Sequence, residues 1–192
     1  LFPMLFALPF PAIDPVALDL GFFQVRWYAL AYIGSLLLAW RYLLHLSRLP
    51  PSTMQRAHAD DLLVWMAFGV ILGGRLGYVL FYKPGYYLQF PSEILQLWQG
   101  GMSFHGGLLG VVVAGLWFCR QRSLNAWRVG DLVACCAAIG LLFGRLANFV
   151  NGELFGRVTD SGIGMIFPGG GPLPRHPSQL YEAALEGLVL LL

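Results

Sequence analysis

Residues 144–157 read GRLANFVNGELFGR and follow at once on an apolar run, LVACCAAIGLLF, at 132–143. Arg145, Asn148, Asn151 and Glu153 therefore close a segment whose composition belongs in hydrocarbon. An arginine at the centre of a membrane helix costs about 2.5–3.5 kcal/mol to insert, and less toward the interface. It needs a partner or a task. One reading is a structural ion pair, with Glu153 as the expected partner. The other is an anion clamp, because the guanidinium fork matches phosphate oxygens. Asn148, at i+3, shares the helical face of Arg145 and can serve the same ligand. At a membrane edge, the abundant anion with an apolar body is a phospholipid. Glu153 can pair with Arg145 or Arg157 and hold such a clamp in shape.

His105 lies in GGMSFHGGLLG. An imidazole suits general-base work near neutral pH, although a histidine at a helix start can equally bond backbone. Both readings stay open. His176, before Pro177 in RHPSQLYE, reads as structural. Neither histidine has partners at metal-ligand spacing, so no metal and no cofactor is expected. No G-x-S-x-G elbow or Ser/His/Asp trio is present, which argues against an acyl-enzyme mechanism. Tyr28, in VRWYAL, reads by itself as an interfacial belt aromatic. Arg75, Tyr78 and Tyr82 add a further polar group inside an apolar stretch.

The elements that must position these residues follow from composition. The chain has 192 residues, 57% hydrophobic and only 11% charged, with a mean hydropathy of +0.65. Soluble domains carry about a quarter charged residues, so the expected class is an all-α, polytopic membrane helix bundle. A net charge of +2 with no basic run excludes nucleic acid as a partner. A span needs about 20 mostly apolar residues. Stretches 27–46, 62–82, 104–119 and 131–149 meet or approach that, and a fifth begins near Leu180. Residues 150–179, rich in Gly and Pro, are expected to form an ordered polar excursion outside the membrane, with Pro177 opening the next helix. No repeat and no separate domain appears, so residues 1–192 read as one transmembrane domain. Cys119, Cys135 and Cys136 read as small buried hydrophobes. The N-terminus lacks the basic region of a signal peptide, and both ends read as incomplete, the C-terminus as a truncation within the bundle.

Basic residues set the expected orientation. Arg41, Arg48 and Arg56 follow the first span, and Arg120, Arg122 and Arg128 follow the third. Those loops are expected on the cytoplasmic side, with the N-terminus outside. Arg26, Tyr28, Arg75, His105, Arg145 and Glu153 then all fall at the outer membrane level, and that convergence argues for a site. Gly69, Gly73 and Gly77, Gly106 and Gly110, and Gly140 and Gly144 are small-xxx-small patterns that read chiefly as helix packing.

The stretch GRLANFVNGELFGR resembles the signature of the bacterial phosphatidylglycerol–prolipoprotein diacylglyceryl transferase family. GGMSFHGGLLG, GGRLGYVLFY, VRWYAL, FPAIDPVAL and LPRHPSQLYEA are similar to its other landmarks, in the same order. The resemblance covers nearly the whole chain. It implies an enzyme of the bacterial inner membrane with about seven spans and its site toward the periplasm. It implies transfer of the diacylglyceryl group of phosphatidylglycerol to the lipobox cysteine of prolipoproteins. The products would be a thioether-linked lipid and glycerol 1-phosphate. On this resemblance His105, Tyr28 and Arg145 act in catalysis. Arg145, Asn148 and Gly156 hold the phospholipid head group, and Glu153, Asn151 and Arg75 support them. A later essential arginine of the family lies beyond this chain. Ala147 stands where many members have Gly, and the 150–179 insert is shorter than in some relatives.

A cysteine thiol must lose its proton, at a free pKa of about 8.5, before it attacks carbon. Negative charge then grows on the leaving phosphate oxygen, where Arg145 would stabilise it. His105 is the better candidate base. The rival reading is a transporter or a lipid-binding membrane protein, since polar groups inside spans also mark substrate pathways. A transporter would spread such groups through the depth of the bundle, whereas here they crowd one level.

Overall fold

The computed structural model describes residues 7–11, 13–21, 24–50 and 54–192. Residues 1–6 of the apolar N-terminus, Ala12 of the FPAIDPVAL landmark, and Ser52 in the loop expected to be cytoplasmic lie outside the described residues. The chain forms two compact units, residues 1–42 with 134–192, and residues 43–133.

The fold is mainly helical, as composition requires, but not purely so. Short strands β1 (Leu8–Pro9), β2 (Val16–Asp19), β3 (Gln24–Arg26) and β4 (Met165–Ile166) pair as β1 with β4, parallel, and β2 with β3, antiparallel. They are two to four residues long, too short for any periodicity to register as strand. Between β2 and β3, Asp19 accepts from the Gly21 amide at 2.8 Å and from Gln24 Nε2 at 3.0 Å. The Gly21 bond, more than the Gln24 bond, holds its carboxyl below the usual carboxylate range.

Three helices are long and apolar enough to cross a membrane: α1 (Trp27–Leu46), α2 (Arg56–Phe81) and α5 (Ala126–Val150). No more than a third of the most apolar window of each is buried within the protein, so their apolar faces suit lipid contact. α2 begins six residues earlier than the apolar run suggested. Gln55 and His58 form a reciprocal capping box there, so the charged turn Arg56–Asp61 is helical. α4 (Phe104–Gln121) is a helix over the expected third stretch. His105 at one end and Arg120–Gln121 at the other dilute its apolar run, and it falls outside the three by length and composition.

In the second unit α2 and α4 run antiparallel with glycine against glycine. A Cβ at Gly110 would sit 2.0 Å from the Gly69 carbonyl oxygen, and one at Gly73 would sit 2.3 Å from that of Gly106. No larger residue fits, which is the close approach that small-xxx-small spacing permits. Gly140 and Gly144 in α5 behave otherwise, because a Cβ at either would meet nothing within 4 Å. The segment between α2 and α4 contains α3 (Pro84–Gln89) and two 3-10 turns, Pro91–Leu95 and Leu97–Gln99.

In the first unit α5 ends in a Schellman turn. Gly152 takes a left-handed backbone (φ +66°), its N–H reaches the Phe149 carbonyl (2.9 Å), and the Glu153 N–H reaches that of Asn148 (3.0 Å). The insert after it folds back on the helix end. Phe167, almost wholly buried, stacks on Phe155 with ring centres 5.2 Å apart and also meets Phe149 and Phe10. α6 (Ser178–Glu182) starts after Pro177 and continues as a π-helix over Ala183–Val189. Gly187 lies so close to α5 that a Cβ there would stand 2.7 Å from that of Leu142.

Candidate active site

The nominated residues divide between the two units. Tyr28, Arg145, Asn148, Asn151, Glu153 and Gly156 belong to the first, and Arg75 and His105 to the second.

In the first unit the contact of Gly187 with Leu142 sets the geometry. About a turn from it along each helix, Arg145 Nη2 meets Glu182 Oε2 at 2.6 Å. This corrects the expected partner: Glu182, not Glu153, pairs with Arg145. About a third of each of the two side chains is exposed, and Nε and Nη1 of Arg145 have no partner among the described residues. The signal for Glu182 was present in the sequence. It is an acid near the start of an apolar helix, as costly to insert alone as the arginine it neutralises.

Glu153 has another task. The Schellman turn swings its carboxylate back over the helix end, where Oε1 accepts from Asn148 Nδ2 at 3.0 Å and Asn151 Nδ2 at 3.2 Å. Asn148 is buried. With one amide N–H tied to Glu153, each asparagine retains a carbonyl oxygen and a second N–H for a ligand. Tyr28 meets Tyr32 at a tilt with ring centres 4.9 Å apart, the two hydroxyls at 3.4 Å, and lies within electrostatic range of Glu153.

Gly156 is a packing position. A Cβ there would stand 3.0 Å from His176 Cβ and 3.1 Å from its carbonyl oxygen. The Gly156 N–H donates to that carbonyl at 2.8 Å, and the His176 N–H to the Arg157 carbonyl at 3.1 Å. His176 is structural as expected, with Nδ1 3.1 Å from the Tyr181 hydroxyl. Ser178 and Gln179, which sequence reasoning passed over, join the same seam. Ser178 Oγ donates to the Leu154 carbonyl at 3.0 Å, and Gln179 Nε2 to the Glu153 carbonyl at 2.5 Å.

In the second unit Arg75 is buried, and its N–H groups are consumed by backbone. Nε donates to Ile94 O (2.8 Å), Nη2 to Glu93 O (2.6 Å) and Gln96 O (3.2 Å), and Nη1 to Gly100 O and Gly101 O (3.1 Å). The guanidinium also lies over the Tyr87 ring, 5.2 Å from its centre. It fastens the α2–α4 connection and has no donor left for a ligand. His105 differs. It sits in the first turn of α4, where the Ser103 hydroxyl caps the helix by accepting from the Gly106 N–H at 3.1 Å. Its ring is exposed, edge-on to Phe104, and has no hydrogen-bond partner among the described residues. It lines a cleft of about 500 Å³ with Phe81, Tyr82, Ser103, Gly106 and Leu109. Phe81, Gly106 and Leu109 also line an apolar groove of about 400 Å³ that runs along the α2–α4 seam toward Trp65 and Trp117.

Comparison with known proteins agrees with the motifs. A family model described as prolipoprotein diacylglyceryl transferase matches residues 15–192. A phosphatidylglycerol–prolipoprotein diacylglyceryl transferase of Paramagnetospirillum magneticum is 63% identical over 190 residues, covering 98% of this chain and 71% of its own length. The enzyme of that name from Rhodospirillum rubrum is 65% identical, covering 97% of this chain and 69% of its own length. That from Nitrobacter winogradskyi is 50% identical, covering 97% and 67%.

Proposed function

We infer the reaction from a premise the comparisons supply: this chain belongs to the prolipoprotein diacylglyceryl transferase family. It is a transferase that moves a diacylglyceryl group from phosphatidylglycerol to a prolipoprotein. The transporter or lipid-binding alternative is not favoured, since these relatives all bear a transferase name.

The finer reading is ours. The acceptor is the thiol of the lipobox cysteine, and the enzyme lies in the bacterial inner membrane with its site facing the periplasm. α4 crosses beside α2 as a fourth span, the helix from Ser178 begins a fifth, and residues 150–179 form an external arm. The observation that carries the site is Arg145, a guanidinium at the end of an apolar helix with one ion pair and donors to spare. Those donors take the phosphate of phosphatidylglycerol, and the amides of Asn148 and Asn151, oriented by Glu153, take the remaining oxygens of its head group. Gly156 serves this site by letting the His176 backbone approach, while Tyr28 borders it.

His105 takes the thiol proton. The sulfur then attacks the glyceryl carbon, and the bond between that carbon and the phosphate ester oxygen breaks. The electron pair leaves with the phosphate, where Arg145 stabilises the growing charge. The products are a thioether and glycerol 1-phosphate. The proton of the thiol stays on His105 until solvent removes it, and no covalent enzyme intermediate is needed.

The test supplies the enzyme with phosphatidylglycerol and a lipobox peptide and weighs the peptide. A gain of one diacylglyceryl group is expected. An unmodified peptide, with phosphatidylglycerol consumed or moved between leaflets, would overturn the reading.

A further inference from the structure

The segment after α5 and the segment entering α6 lie side by side. Gly156, Arg157 and His176 pair through backbone, and Arg175 Nη1 reaches the Gly156 carbonyl at 3.4 Å. At the end nearest the α5 terminus the pairing passes to side chains. Ser178 holds the Leu154 carbonyl and Gln179 holds that of Glu153. Two consecutive side chains thus grip two consecutive carbonyls more than twenty residues away. The gripped turn is strained, since Leu154 has φ +55° without being glycine. Such a conformation persists only where the surroundings impose it.

Gln179 itself carries the second observation. It is wholly buried, yet only its N–H side is used. Oε1 is the one buried side-chain atom without a hydrogen-bond partner among the described residues. An apolar residue of equal size would fill the space without burying an unpaired acceptor. Packing alone does not account for this amide, whereas its bond to Glu153 does.

We propose that Ser178 and Gln179 are positioning residues for phosphatidylglycerol binding. They lock the Glu153–Leu154 turn so that the Glu153 carboxylate stays on the amides of Asn148 and Asn151. The proposal rests on the head-group reading of Arg145 and Asn148. Neither residue touches the reacting atoms. They act through Glu153 on the asparagines that face the lipid.

The test measures kcat, KM for phosphatidylglycerol, KM for the peptide and thermal midpoint in Gln179→Met, Ser178→Ala and Ser178→Thr enzymes. Met keeps the shape of Gln and removes its donor. The lipid KM is expected to rise about fivefold to tenfold in Gln179→Met, the worth of roughly one hydrogen bond. The peptide KM, kcat and thermal midpoint should hold close to wild type. Ser178→Ala should raise the lipid KM less, and Ser178→Thr, which keeps the hydroxyl, should restore it. In an Asn148→Ala background, Gln179→Met should add little, because both act on one site. Unchanged lipid KM in Gln179→Met and Ser178→Ala would overturn the proposal, as would a joint fall of kcat, both KM values and thermal midpoint. Failure of the head-group reading would look different. Arg145 and Asn148 variants would then keep wild-type lipid KM as well, and the proposal would fall with it.

Discussion

Arg75 and Arg145 are both arginines inside apolar helices, and the fold uses them in opposite ways. Arg75 is buried, and its N–H groups go to carbonyls of the segment 93–101. Arg145 is part-exposed, with one carboxylate on Nη2. The same contrast holds within each region. In the second unit Arg75 is spent on backbone while His105 lines an open cleft with its ring unbonded. In the first, Gln179 is spent on backbone while Arg145 keeps donors in reserve. The cost of an arginine in a membrane helix marks both positions as special. What separates a structural arginine from a functional one is how many of its five donors the protein has already used.

The comparison breaks most visibly at the side chains with unused capacity. His105→Gln should lower transfer by about 10²–10⁴-fold, the range for loss of a general base, with lipid binding and thermal midpoint kept. Raising the pH should partly rescue it, because solvent then supplies thiolate without help. A parallel loss of lipid binding and stability, with no alkaline rescue, would make His105 a helix anchor and turn attention to Tyr28. Next in size is Arg145→Lys. Charge is kept but the fork is lost, and turnover should fall by about 10²–10³-fold. Its thermal midpoint should barely move, since a part-exposed ion pair contributes about 1 kcal/mol or less. Near-normal turnover would mean that charge alone suffices.

Much of this was legible in the sequence, and the reason is the solvent. Apolar length located α1, α2, α4 and α5, because few other segments suit lipid, and glycine spacing marked the α2–α4 seam. The apolar run ending at 149 located the α5 terminus to within one residue. Partners were harder. Glu153 is eight residues from Arg145 and seemed its natural mate, but the Schellman turn points its carboxylate at the two asparagines. Glu182 reaches Arg145 only because Gly187 lets the π-helix lie against Leu142, a tertiary fact with no local periodicity. Arg75 was grouped with the site for want of a way to see its five acceptors, which are backbone atoms and leave no mark on residue type. The β1–β4 and β2–β3 pairings escaped because strands of two to four residues carry no readable alternation.

The structural side of the comparison is tested by Arg75→Lys. Lysine offers three donors where five carbonyls now wait, so at least two lose their partner. Part of that loss is made good by water at the edge of the 93–101 segment, and a net destabilisation of about 2 kcal/mol is expected. It should appear as a lower thermal midpoint and earlier proteolysis between α3 and α4. Per folded molecule, the lipid KM should stay at the wild-type value. A raised lipid KM with an unchanged midpoint would place Arg75 among the ligand-binding groups.

Glu182→Gln carries the smallest effect and asks what the partner of Arg145 does. Two roles are open to a carboxylate on one edge of a guanidinium. It can compete with phosphate for the fork, or it can hold the plane of the fork so that the other edge faces the ligand. The bond runs to Nη2 alone, which leaves both N–H groups of Nη1 and the free N–H of Nη2, the end-on edge of the fork, for the phosphate. Orientation is therefore the expected role. Glutamine keeps the shape and can still accept a hydrogen bond, so much of the orientation should survive, with a loss of about fivefold or less in kcat/KM. Stability should shift by under about 1 kcal/mol, as for other part-exposed pairs. A competitor would behave in reverse, because removing its charge would free the whole fork and tighten phosphatidylglycerol binding. A lipid KM that falls below wild type in Glu182→Gln would thus replace the orienting role with a gate that the substrate phosphate must displace.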